Sequence, residues 1–224
     1  MRRLLFFVVL IAGCERTPPL PTYPGVCPTL VSNPNAAMAR NRNFMSRSDA
    51  REFLLVVPPN YSPTKRYPVI FGFWRTSLGD LRQLDIESAV AQFEFIAVLP
   101  EPLVTDGKSA YQFDWPFVEA EPFSDKEQGF FEDVLACVSR QFTVDPSRVH
   151  VFGGQAGGLW AGYVSTTPTV NRIASVLTVS GGLGQGNPWR TDFVPQSNKF
   201  PALVVWNGEF DVGKIGRASC RERV

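Results

Sequence analysis

The stretch Arg148-Val-His-Val-Phe-Gly-Gly-Gln-Ala-Gly-Gly158 decides the fold. Val149, Val151 and Phe152 read as a buried strand. Gly153, Gly157 and Gly158 frame a sharp turn, and Leu159, Trp160, Tyr163 and Val164 give the apolar side of a helix that follows. This is the outline of a nucleophile elbow, G-x-S-x-G, in which the central residue sits on a strained bend and small neighbours let the backbone close up. Here the centre is Gln155. An amide is neither acidic enough to deprotonate nor nucleophilic enough to attack an ester, and no adjacent base activates it. The motif predicts a fold and, at the same position, lacks the chemistry.

Outward from the elbow, strand-like and helix-like segments alternate, as in an α/β fold with a mostly parallel sheet and flanking helices. Phe53–Val57, Pro68–Phe73, Phe95–Leu99, Ile173–Val179 and Ala202–Trp206 read as short apolar strands. Leu81–Phe93 has near-helical apolar spacing. Ser124-x-x-Glu127 reads as a capping box opening a helix with Phe130, Phe131, Val134, Leu135, Val138 and Phe142 on one side. Asp145-Pro146 reads as the turn into the elbow strand. Residues 105–123 lack periodicity but hold Tyr111, Phe113, Trp115 and Phe117. Two readings stand for these aromatics: contact with substrate at the sheet's carboxyl edge, or packing of the loop onto the core.

The ends are expected to lie outside the domain. Arg2 and Arg3 precede the apolar run Leu4–Ile11, which is too short to span a bilayer. The run ends in Leu10-Ile11-Ala12-Gly13-Cys14, which resembles a bacterial lipobox. Residues 1–13 then form a lipoprotein signal peptide and Cys14 is the lipidated first mature residue; the alternative is an ordinary secretory signal with a chance cysteine. Glu15–Pro24 reads as a proline-rich extended tether within an N-terminal segment, residues 14–50. The hydrolytic-type domain is expected over residues 51–214. Residues 215–224, Ile-Gly-Arg-Ala-Ser-Cys-Arg-Glu-Arg-Val, resemble one reading frame of a sequencing adapter, so the gene is expected to be interrupted near Lys214.

Setting both ends aside turns the formal charge of +1 into about −3 for the mature domain. Nothing in that charge, in Lys/Arg runs or in motifs points to nucleic acid. Of the four cysteines, Cys27 and Cys137 remain. In an oxidising envelope compartment they form a possible disulfide; two free thiols is the equal alternative. One histidine and no clustered Cys or carboxylates give no metal site, and no cofactor is expected.

The block Gly129-Phe130-Phe131 through "VDPSRVHVFGGQAGG" is similar to the esterase family of polyhydroxybutyrate depolymerases and feruloyl esterases, and the likeness runs from about Arg51 to Asp211. It implies an α/β-hydrolase fold and acyl transfer by Ser, His and Asp with an oxyanion hole. Carried over by position, Gln155 occupies the nucleophile slot and the backbone N–H of Ala156 is one oxyanion donor. Asp211, after the Ala202–Trp206 strand, is the acid, with Glu209 a weaker match. The family histidine would follow Asp211. His150 suits neither the place nor the chain order and reads as a structural strand residue. The second oxyanion loop normally carries His-Gly; this chain has Trp74-Arg75, which leaves Arg75 or Thr76 as the remaining backbone donor.

Three readings follow. The chain is an esterase homologue on carboxylic esters, inactive as written; or a non-catalytic surface protein that uses a hydrolase fold to bind an ester or small ligand; or a degenerate fragment. The first is preferred. The expected location is the bacterial cell envelope, with the membrane reached through the lipid anchor.

Overall fold

The computed structural model describes residues 19–32, 39–74, 85–105, 108–110, 115, 123–166, 172–179 and 202–205. In chain order these form β1 (Ala39–Ser46), β2 (Asp49–Val56), β3 (Tyr67–Phe73), α1 (Ile86–Phe93), β4 (Ile96–Pro100), β5 (Val104–Thr105), β6 (Lys108–Ser109), α2 (Phe123–Gln141), β7 (Val144–Gly154), α3 (Ala156–Thr166), β8 (Ile173–Val179) and β9 (Ala202–Val205). Seven strands make one sheet in the order β1-β2-β4-β3-β7-β8-β9, and β5 pairs with β6 in a small separate hairpin. From β4 across to β9 all pairings are parallel; β2 joins β4, and β1 joins β2, antiparallel.

Period-two alternation of apolar residues explains why the sheet is covered on both faces. Phe53, Leu55, Val69, Phe71, Ile96 and Val98 face α2 and α3, where they meet Phe130, Phe131, Val134, Trp160 and Val164. Leu54, Val56, Ala97 and Leu99 face the other way, against Ile86 and Val90 of α1. Phe71 lies 4.4 Å from Phe131 between ring centroids, which seats α2 on the middle of the sheet.

The sheet starts at Ala39, upstream of Arg51. Its first strand, Ala-Arg-Asn-Arg-Asn-Phe-Met-Ser, has too few apolar residues to read as a strand. As an edge strand it needs few: among its described side chains Phe44 is the one buried apolar residue, beside the buried polar Asn41 and Ser46, and a register shift between Asn41 and Phe44 accompanies Asn43 at φ 57°. The Asp145-Pro146 turn lies within β7 as a pairing irregularity rather than before the strand. Asp145 holds it by accepting from the Ser147 N–H (3.0 Å) and hydroxyl (2.6 Å) and from Arg148 Nε (2.7 Å). Of the helix expected over Leu81–Phe93, Ile86–Phe93 is helical and residues 81–84 lie outside the described part.

The proline-rich segment does not extend as a tether over its described length. From Pro19 onward it is strapped to the domain, because its few large side chains and carbonyls find fixed partners. Tyr23 is buried, stacks on Phe44 (5.4 Å) and donates its hydroxyl to the Met45 carbonyl. Gln141 brackets Pro28 and Leu30 with bonds of 2.8 and 2.9 Å, and Asn41 does the same for Val31 at 2.8 and 2.9 Å. Cys27 is disulfide-bonded to Cys137 of α2 across 110 residues. A loop of that length removes about 4–5 kcal/mol of unfolded-chain entropy in the loop-closure model.

One buried ion pair ties the other side of α2. Arg51 Nη2 donates to both oxygens of Glu127 (2.7 and 2.8 Å) and to the Glu101 carbonyl (3.0 Å), while its guanidinium lies 4.0 Å from the Phe130 ring centre. Glu127, expected to close a capping box, also accepts from the Leu103 N–H at 3.2 Å. It therefore joins β2, α2 and the chain leaving β4. Removing one partner of such a pair typically costs about 3–5 kcal/mol, because the other charge stays buried.

Candidate functional site

β7 ends at Gly154 and α3 begins at Ala156, so Gln155 alone makes the turn. Its φ is 52°, in the left-handed region that costs a side-chain-bearing residue about 1–2 kcal/mol. Two backbone bonds hold it there. The Gln155 N–H donates to the Val179 carbonyl at the end of β8 (2.8 Å), and the Gln155 carbonyl accepts from Leu159 N–H (3.0 Å) to start α3. The Gln155 side chain is left exposed, directed away from the core.

The glycines around it are required by contact. A Cβ on Gly153 would lie 2.1 Å from the Gly157 carbonyl oxygen, and one on Gly157 would lie 2.2 Å from the Phe73 carbonyl oxygen. Strand, helix and the end of β3 thus meet backbone to backbone. Gly154 is a third such position, missed in the sequence: its Cβ would lie 2.5 Å from the Trp74 ring. No local pattern signals it, because the requirement comes from where the Trp74 ring lies, 80 positions earlier in the chain.

Trp74 is half-buried, and its carbonyl accepts from Trp115 Nε1 at 2.7 Å. Trp115 is fully buried, edge-on to Phe73 (5.1 Å) and stacked on Trp160 (6.2 Å), which in turn stacks on Tyr163 (5.4 Å). For this aromatic the packing reading holds over substrate contact. Tyr111, Phe113 and Phe117 lie outside the described residues, as do Arg75, Glu209, Asp211 and Cys14. Ala156 is half-buried in the first turn of α3, where N–H groups have no acceptor within the helix. The structure therefore brings together Gln155, Ala156 and Trp74.

His150 lies within β7, below the elbow, with Nδ1 2.7 Å from Ser175 Oγ on β8. Burial holds its pKa below the ordinary histidine value; repulsion by Arg148 acts the same way and Asp145 opposes it. Among the described residues no group of three or more His, Cys, Asp or Glu side chains is placed to hold a metal ion.

No protein-family model matches the chain, and no curated protein matches it in sequence. Solved structures do match in shape. The chain superposes on native sOPH with a TM-score of 0.62 at 16% identity, covering 86% of this chain and 73% of that one. An S-formylglutathione hydrolase from Agrobacterium tumefaciens gives 0.51 at 18% identity, over 65% of this chain and 60% of that one. A ferulic acid esterase gives 0.53 at 16% identity, over 68% and 61%. The strand order, the elbow and these neighbours together define an α/β-hydrolase fold of the kind found in carboxylic ester hydrolases. At such identities the likeness establishes the fold.

Two predictions follow from the geometry. Gln155→Gly relieves the left-handed backbone and is expected to raise stability by up to about 1 kcal/mol. Gly157→Ala, two residues on, is expected to lower it by roughly 1–3 kcal/mol or more. Urea denaturation checks both, and equal small losses at the two positions would contradict the elbow. For His150, the folded pKa lies below the unfolded one. Its contribution is thus present above about pH 6.5 and lost as pH falls through the folded value. Glu101, Glu132 and Asp133, whose pKa values burial raises, act with the opposite sign, so the comparison must be differential. From pH 7 to 5 the parent chain should lose more stability than His150→Asn; parallel curves would contradict the assignment.

Proposed function

We propose that the chain is a lipid-anchored relative of the polyhydroxybutyrate depolymerases and feruloyl esterases that has lost ester hydrolysis. The observation that carries this is Gln155 itself: an exposed amide at positive φ, in the position and backbone geometry of a serine nucleophile. The side chain stands where an ester carbonyl would have to be attacked, yet supplies no attacking atom. Losing the nucleophile of a serine hydrolase costs on the order of 10⁶ in kcat. What survives is binding chemistry. The Gln155 amide has two donors and an acceptor, and the first turn of α3 adds backbone N–H groups suited to a carbonyl or carboxylate. A non-catalytic role in holding an ester or acid ligand is therefore the second reading, favoured by the same residue.

The replacement of His-Gly by Trp74-Arg75 also bears on catalysis. The Trp74 ring sits against Gly154 at the start of the loop that gives the fold's esterases a second oxyanion donor, which leaves a backbone N–H of Arg75 or Thr76 for that role. The Cys27–Cys137 bridge suits an oxidising compartment, which agrees with a lipoprotein of the bacterial cell envelope anchored through Cys14. Asp211 remains the candidate acid.

The test is hydrolysis of a short-chain p-nitrophenyl ester by the purified chain. We expect a rate indistinguishable from that of Gln155→Ala, with no effect of a serine-directed phosphonate. Hydrolysis that the phosphonate abolishes would overturn the proposal.

A further inference from the structure

The strapped N-terminal segment fixes how the domain meets the membrane, if Cys14 carries the lipid; the inference rests on that anchoring reading. Pro19 is already held: its carbonyl accepts from Arg172 Nη1, and Leu20 beside it packs on the core. The segment continues along the C-terminal half of α2. Arg140 donates to the Tyr23 carbonyl at 3.1 Å, and Cys27 is bonded to Cys137. Four residues lie between Cys14 and Pro19, and the five Cα–Cα steps reach about 17 Å at full extension. The spacer is thus half as long as the proline-rich run suggests.

The attachment point has a definite place in the fold. Arg172 immediately precedes β8, whose first residue Ile173 pairs with Val149 of β7, and the C-terminus of α2 leads into the start of β7. Both belong to the amino edge of the parallel strands. Gln155 lies six residues further along β7, about 20 Å away at the carboxyl edge. The surface around the attachment is also suited to a bilayer. Val26, on the strap, is 93% exposed. Arg66, Arg140, Arg148 and Arg172 lie at this edge against two carboxylates, Asp145, which pairs with Arg148, and Glu132, which faces Arg172, while Lys65 and Glu94 cancel in an ion pair. An excess of arginine beside an exposed apolar side chain matches anionic headgroups over an acyl interior.

We propose that the strap face, from Pro19 to Cys27 with Arg140 and Arg172, rests on the anchoring bilayer, so that the elbow stands clear of it and opens to the aqueous side. The ligand of the site is then a water-borne ester or acid, or one carried on another surface, and not a lipid of the host membrane.

The experiment uses the full chain expressed with its leader, in a Cys220→Ser background. Thr22→Cys and Gln155→Cys, both at exposed positions, are labelled with bimane. The lipidated proteins are placed in phosphatidylethanolamine–phosphatidylglycerol vesicles containing a doxyl-labelled lipid quencher. Incorporation of labelled palmitate, lost in Cys14→Ser, reports the anchor separately. The expected result is palmitate incorporation together with quenching at position 22 at least threefold stronger than at position 155. Incorporation with equal or stronger quenching at 155 overturns the orientation and leaves the anchor standing. Absence of incorporation overturns both.

Discussion

The structure depends on one close approach of backbone to backbone. Gly153 leaves β7 against the Gly157 carbonyl, and Gly157 enters α3 against the Phe73 carbonyl at the end of β3. No Cβ fits at either point. That contact sets the angle at which α3 crosses β7 and β8, and so brings Trp160 onto Phe73 and Trp115. It also forces position 155 into the left-handed region, where any side chain is pushed outward at the sheet's carboxyl edge. Gln155 holds this left-handed backbone while carrying a side chain with no nucleophilic atom. Fold and chemistry are separable here: glycines and strand ends determine one, a single side chain the other.

Other parts of the chain brace this crossing from a distance. Trp74 covers Gly154 with its ring and is held by the indole N–H of Trp115. Further along the sheet, Arg51 and Glu127 neutralise one another in the interior and fix the start of β2 against α2. The disulfide and the strap hold the opposite end of α2. Each is a long-range contact, so none is visible in local sequence pattern.

This explains what the sequence disclosed. The elbow, the apolar strands and the amphipathic α2 were legible because each has a local cause: glycine spacing, period-two runs, period-3.6 faces. β1 was not, because its buried side chains are Phe44 and two polar residues, Asn41 and Ser46, which leave no apolar alternation. Prolines in residues 15–24 suggested a free tether, yet Tyr23 finds Phe44 and Met45, twenty-odd residues on, and docks the segment. The ion pair of Glu127 could not be read locally, because its partner, Arg51, lies 76 positions away. At the elbow, the glycine spacing and the absence of a nucleophilic atom at position 155 were legible from the sequence. The reason for Gly154 was not, since it needs the position of the Trp74 ring.

Position 155 is an intact nucleophile elbow carrying a side chain with no nucleophile. The most direct measurement places a titratable group there and asks whether the backbone treats it as an elbow would. In Gln155→Cys, on the Cys220→Ser background, the alkylation rate with iodoacetamide is followed against pH and the parent chain's rate subtracted. A thiolate at the first turn of α3 should be solvent-accessible and stabilised by the helix N-terminus, giving a pKa below the ordinary value of about 8.5. A slow reaction, or a pKa at or above that value, would show that residue 155 is not held at the tip of such a turn.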